Sequence, residues 1–70
     1  MTDFTTTDFL EAMTHASNTT QMWDMLISVG IPEEVLVSHA ITLSGRGDWE
    51  YGVSPKYGWV TEQGKEKVGK

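Results

Sequence analysis

The stretch Pro32-Glu33-Glu34-Val35-Leu36-Val37-Ser38-His39-Ala40-Ile41-Thr42-Leu43-Ser44 reads two ways. On a helical wheel Leu36, Val37, Ala40, Ile41 and Leu43 gather on one side, with Ser38, His39 and Thr42 on the other. In strand alternation Val35, Val37, His39, Ile41 and Leu43 share one face, and Ser38, Ala40, Thr42 and Ser44 the opposite one. The β-branched residues favour a strand, because their restricted χ1 costs less there. The opening favours a helix: Pro suits the first helical position, and acids at the next two sit at the positive end of the helix dipole. We read 32–44 as helix, and this choice controls the fold assignment.

Working outward, residues 20–29 form the clearest element. Gln21, Asp24 and Ser28 make a narrow polar stripe, and Met22, Trp23, Met25, Leu26, Ile27 and Val29 fill the rest. A helix that apolar either lies in the core of a small domain or gives a face to a partner. Asn18 or Thr19 can cap its start. Gly30 follows its end, and Pro32 forbids continuation. Upstream, Thr7 can cap a first helix beginning Asp8-Phe9-Leu10-Glu11-Ala12-Met13, in which Phe9, Ala12 and Met13 share a face.

Downstream, Ser44-Gly45-Arg46-Gly47-Asp48 is a turn on chemistry alone. Trp49, Tyr51 and Val53 alternate, so 48–53 reads as a strand. Ser54-Pro55-Lys56 turns the chain, and 57–61 pairs back to complete a hairpin. Thr61 can cap a last short helix over 62–68, which Gly64 weakens by about 1 kcal/mol. The expected architecture is α+β: two or three short N-terminal helices packed on a C-terminal β-hairpin. Residues 1–70 form one small domain, with 1–6 and 69–70 frayed.

Composition narrows the functional classes. A chain of 70 residues buries only about 60% of its unfolded surface, which leaves little room for a cleft with supporting side chains. Its 39% hydrophobic content and three Trp are too much for a disordered tail. With no Cys there are no disulfides, thiolate metal sites or cysteine nucleophiles. That absence, with no basic and apolar leader at the N-terminus and no apolar run of membrane length, leads us to expect a cytoplasmic protein without a membrane span. Net charge is −5, unevenly placed: residues 1–45 carry six acids and no Lys or Arg, whereas 46–70 sum to +1. An acidic half suits solubility, or a basic protein partner.

Motifs for catalysis are missing. His15 and His39 are far apart in sequence and have no neighbour at metal spacing. Gly45-x-Gly47 lacks the rest of a dinucleotide fingerprint, and no phosphate loop or nucleophile elbow is present. Glu33 and Glu34 are adjacent, so on a helix they diverge and make no catalytic pair. We expect no catalytic residue, cofactor or metal, and no enzymatic activity. Arg46-Gly47-Asp48 spells an adhesion tripeptide but reads as a turn, and Asn18-Thr19-Thr20 matches a glycosylation pattern that helix capping explains.

The most informative cluster is aromatic. Trp49, Tyr51, Tyr57 and Trp59 lie within eleven residues, interleaved with Arg46 and Lys56. All four sit at odd positions, and we expect them on one face of the hairpin. That face either closes the core over the helices or forms a partly exposed binding patch. Trp, Tyr and Arg are the residues enriched at interface hot spots, and with Lys they also stack on bases. The candidate partner-binding residues are therefore Arg46, Trp49, Tyr51, Lys56, Tyr57 and Trp59.

The segment Met22-Trp23-Asp24-Met25-Leu26-Ile27-Ser28-Val29-Gly30-Ile31-Pro32-Glu33-Glu34 resembles the first motif helix, turn and recognition-helix start of winged helix-turn-helix domains. Tyr57-Gly58-Trp59-Val60-Thr61-Glu62-Gln63-Gly64-Lys65-Glu66 is similar to the place where the second wing strand of that family runs into a closing helix. The resemblance covers about 50 residues, with the helix–Gly turn–helix at 20–43 and the hairpin at 48–61. It implies DNA-reading side chains on 33–44, where this chain offers Glu33, Glu34, Ser38, His39 and Thr42 and no Lys or Arg. Acids there repel phosphate, so Arg46 and Lys56 on the hairpin would be the better nucleic-acid contacts.

The leading expectation is a non-enzymatic protein-binding module, a small acidic accessory or inhibitor protein of bacterial or phage type. It docks on a larger, basic protein partner. The alternatives are a winged-helix-like nucleic-acid binder and a small homo-oligomer in which Met22, Trp23 and Leu26 of helix 20–29 meet a copy.

Overall fold

The computed structural model describes residues 4–68. The elements run α1 (Thr6–His15), α2 (Thr19–Ser28), α3 (Glu33–Arg46), β1 (Trp49–Tyr51), β2 (Gly58–Val60) and α4 (Glu62–Val68). The class is α+β: three helices, an antiparallel hairpin and a closing helix.

Residues 33–44 are helical, and the helix runs further than the turn chemistry suggests. Ser44, Gly45 and Arg46 continue α3, and the chain reverses only at Gly47, whose φ of +84° is the left-handed conformation glycine tolerates. There the amides of Gly47 and Asp48 reach back to the carbonyls of Ser44 and Leu43, closing the helix with a Schellman motif. Pro32 stands one position before the helix in extended geometry, so Glu33 and Glu34 are its first residues.

α2 is bounded as its local chemistry requires. Asn18 Oδ1 accepts from the Gln21 amide at the start. At the end Gly30 takes φ +107°, and the amides of Gly30 and Ile31 bond to the carbonyls of Ile27 and Leu26. For α1 the cap is Thr5 rather than Thr7. Thr5 Oγ1 accepts from the Asp8 amide while the Asp8 carboxylate accepts from the Thr5 amide, a capping box that extends the helix forward. Phe4 is half-buried against the core, and α1 begins at Thr6. Residues 1–3 and 69–70 lie outside the described residues.

The core is built around Phe9, whose ring packs edge-on at 5.9 Å from Trp23 and 5.4 Å from Trp49. Leu36, Ala40 and Leu43 present the inner face of α3, at the i, i+4, i+7 spacing that the helical reading requires. Trp49 and Val60 come from the hairpin, and Leu10 and Met13 from α1. His39, on the flank of α3, ties down the start of α1. Its Nε2 lies 2.8 Å from the Phe4 carbonyl, and its Nδ1 lies 2.8 Å from Thr6 Oγ1.

α4 is stitched to the α3–β1 corner. Thr61 caps it as expected: its Oγ1 accepts from the Gly64 amide and donates to the Gly47 carbonyl. Gln63 donates to the Arg46 carbonyl and to Asp48 Oδ1. Gly64 is more than a weak helix former. A Cβ there would lie 2.7 Å from the Asp48 carbonyl oxygen and 2.9 Å from Val60 Cγ1, so glycine is what lets α4 approach the hairpin.

Candidate functional site: the outer surfaces of the hairpin and α2

The hairpin pairs Trp49 with Val60, Glu50 with Trp59 and Tyr51 with Gly58. Paired numbers sum to an odd value, so odd positions of β1 share a face with even positions of β2. The four aromatics therefore do not lie on one face, which corrects the expectation from alternation. Trp49 and Val60 point into the core, while Trp59 stands on the opposite face beside Glu50. The strands are shorter than 48–53 and 57–61, and the six-residue connection 52–57 sets the register.

Of the six candidate residues, Trp49 is fully buried, and its Nε1 donates to the Pro55 carbonyl at 3.2 Å. That bond folds the connection 52–57 back across the hairpin. Gly58 allows the indole to lie there, since a Cβ on it would fall 2.6 Å from Trp49 Nε1. Tyr51, Tyr57 and Trp59 are exposed, the last at 52%. Lys56 Nζ is 3.1 Å from Asp24 Oδ1 on α2 and 5.8 Å from the centre of the Tyr57 ring. The Asp24 hydrogen bond raises the Lys56 pKa. Partial burial opposes this, and the charges of Asp24, Tyr57 and Glu33 add to it.

Arg46 is elsewhere. It ends α3 beside Asp48 and Lys67, lining a pocket of about 210 Å³ with Thr6 and Thr7. Lys56 instead feels Glu33 at the start of α3. Fourteen residues of helix span about 20 Å, so the two bases that interleave with the aromatics in sequence sit by opposite ends of α3. They do not form one basic cluster. In Arg46-Gly47-Asp48 the first two residues are exposed at the end of α3, but Asp48 is 1% exposed and held by Lys67 and Gln63.

Two surfaces remain open to a partner. Trp59 borders a groove of about 360 Å³ with Met13, Thr14, Asn18, Thr19 and Lys65. Elsewhere Met25 and Ile27 of α2 and its C-cap Val29 are exposed, and the connection 52–57 carries Val53 at 98% exposure together with Tyr57. Sequence reasoning offered helix 20–29 as core or as a partner face without singling out Met25, Ile27 or Val29, and gave Val53 no functional role. Val53 reads as part of the strand pattern, and the polar stripe Gln21, Asp24, Ser28 marks a water-facing side of 20–29 too narrow to show which flanking apolar residues stay exposed. Trp23 lies inside the monomer, and Met22 and Leu26 pack half-buried against the core. The helix face named for a homo-oligomer is thus largely occupied by the domain itself.

Among the described residues, no group of three His, Asp or Glu side chains is gathered as metal ligands, and no helix is long and apolar enough to cross a membrane. No family model matches the chain, and no curated protein or solved structure matches it significantly.

Proposed function

We propose that this chain is a non-enzymatic protein-binding module, an accessory or inhibitor-type protein that docks on a larger, basic partner. The observation that carries this reading is the balance of apolar side chains. Among the described residues nine hydrophobic side chains form the buried core, and eight large ones stand exposed. Exposed apolar side chains that gather in patches mark interaction sites, and aromatic anchors such as Tyr57 and Trp59 are what interfaces employ. The acidic first half adds attraction for a basic surface and faster association with it.

The experiment is capture from source-cell lysate with the tagged protein, with and without nuclease, and with Tyr57→Ala and Trp59→Ala variants in parallel. A protein retained after nuclease and lost with either variant supports the reading. Recovery only in the absence of nuclease overturns it.

That second outcome would favour a winged-helix-like nucleic-acid binder. The order α2, glycine turn, α3, hairpin supports this alternative. Against it, Glu33 and Glu34 open α3, and Lys56 on the wing-like connection is held by Asp24.

A further inference from the structure

Three segments meet at Lys56. Its ammonium is bonded to Asp24 on α2, lies near the Tyr57 ring in the connection 52–57, and feels the charge of Glu33 in the first turn of α3. These segments carry five exposed apolar side chains: Met25, Ile27, Val29, Val53 and Tyr57. Met25 and Val29 are four residues apart at the end of α2 and share its outer face. Val29 is 70% exposed, although it directly precedes the glycine that ends the helix.

The charges around these side chains are mostly negative, three acids against the single base Lys56. Asp24, Glu33 and Glu34 are all exposed, and residues 1–45 contain no Lys or Arg. Lys56 pairs with Asp24 and also feels Glu33, so one base faces three acids and the surface keeps a net negative charge. The Trp59 groove differs. Lys65 lines it and Glu50 stands across the strand from Trp59, so one base balances one acid and no net charge selects a partner.

We propose that the outer face of α2, the first turn of α3 and the connection 52–57 dock a partner-protein segment whose apolar side chains are flanked by Lys or Arg, an assignment that rests on the protein-binding reading above. The apolar side chains would supply the contact area, and the flexible Met25 can adapt to the shape it meets. The acids would select the flanking bases, speed encounter at low salt and disfavour acidic segments of similar hydrophobicity.

The test uses two synthetic amphipathic helical peptides with leucines at the same positions, one carrying Lys and the other Glu on the remaining face. Each is titrated into the ¹⁵N-labelled full chain at low and physiological salt. The expected result is saturable amide shifts confined to 24–34 and 52–57 with the Lys peptide, and at least about tenfold weaker binding of the Glu peptide. Val29→Ser should weaken the Lys peptide severalfold while leaving the thermal midpoint unchanged, since its side chain is exposed. The double change Glu33→Gln, Glu34→Gln should weaken it severalfold and lower the midpoint only slightly, through the lost charge–dipole attraction. Equal binding of both peptides overturns the proposal. So do shifts centred on Trp59 and Lys65, or shifts at 24–34 that grow with protein concentration alone, which would mark a second copy as the occupant. If a lysate protein captured by the wild type is still captured by these variants, the protein-binding reading stands and this surface is excluded.

Discussion

Lys67 Nζ lies 2.8 Å from Asp48 Oδ2, and the two ends of this pair differ in environment: the Asp48 side chain is 1% exposed, and half of the Lys67 side chain is in water. Burial alone would push the Asp48 carboxyl up. The hydrogen bonds from Lys67 and Gln63, with the charges of Lys67 and Arg46, outweigh it and hold the pKa below the ordinary aspartate value. The depressed folded-state pKa means this pair stabilises the fold above the unfolded aspartate pKa of about 3.9, and that contribution is lost as pH falls through the folded value.

Lys67→Met should therefore destabilise the domain at neutral pH by about 1–3 kcal/mol, because it leaves a buried carboxylate with one hydrogen bond. It should also move acid unfolding to higher pH. Urea melts between pH 3 and pH 7 check both effects. An acid limb identical to wild type would show that Asp48 does not govern it.

Two glycines in helices should respond oppositely to alanine. At Gly45 a Cβ would meet nothing within 4 Å and the backbone is not left-handed, so Gly45→Ala should stabilise by up to about 1 kcal/mol through helix propensity. Gly64→Ala would gain the same propensity, but its Cβ meets the Asp48 carbonyl and Val60. It should cost about 1–3 kcal/mol by forcing α4 off the hairpin. Paired thermal melts give the two signs directly.

Trp23 and Trp49 are both fully buried, yet they differ at nitrogen. Trp49 Nε1 donates to Pro55, whereas Trp23 Nε1 has no hydrogen-bond partner. Replacing either by Phe removes similar volume. Trp49→Phe also leaves the Pro55 carbonyl without its donor, while Trp23→Phe removes a donor that is already unpaired. Trp49→Phe should be the more destabilising by about 1 kcal/mol, measured by urea unfolding. It should also increase hydrogen exchange across 52–57, and Trp23→Phe should not.

His39 carries a definite tautomer when neutral. A backbone carbonyl only accepts, so Nε2 bears the hydrogen that bonds Phe4, and Nδ1 accepts from the Thr6 hydroxyl. Two-bond ¹H–¹⁵N correlations at alkaline pH should show this form. Thr6→Val should cost about 1 kcal/mol and speed amide exchange in the first turn of α1. A neutral ring protonated at Nδ1 would contradict this hydrogen-bond arrangement.

Much of this architecture is written locally. Asn18, Gly30 and Thr61 mark the helix boundaries they were read to mark, because a cap satisfies backbone groups within a few residues of itself. The one-sided charge of residues 1–45 is likewise a property of the sequence alone. Tertiary structure decided what depends on distant partners. The hairpin register, and with it the separation of Trp49 from Trp59, comes from a connection that folds back onto Trp49 through Pro55. Which residues of the apolar run 22–29 are buried depends on where Phe9 and the rest of the core lie. Asp48 reads as an exposed turn residue until α4 returns to cover it with Gln63 and Lys67, and Gly64 reads as a flaw in a helix until the Asp48 carbonyl is placed beside it. Local hydrogen bonding fixes where an element begins and ends. Which of its faces is buried, and beside what, is settled by contacts between residues far apart in the chain.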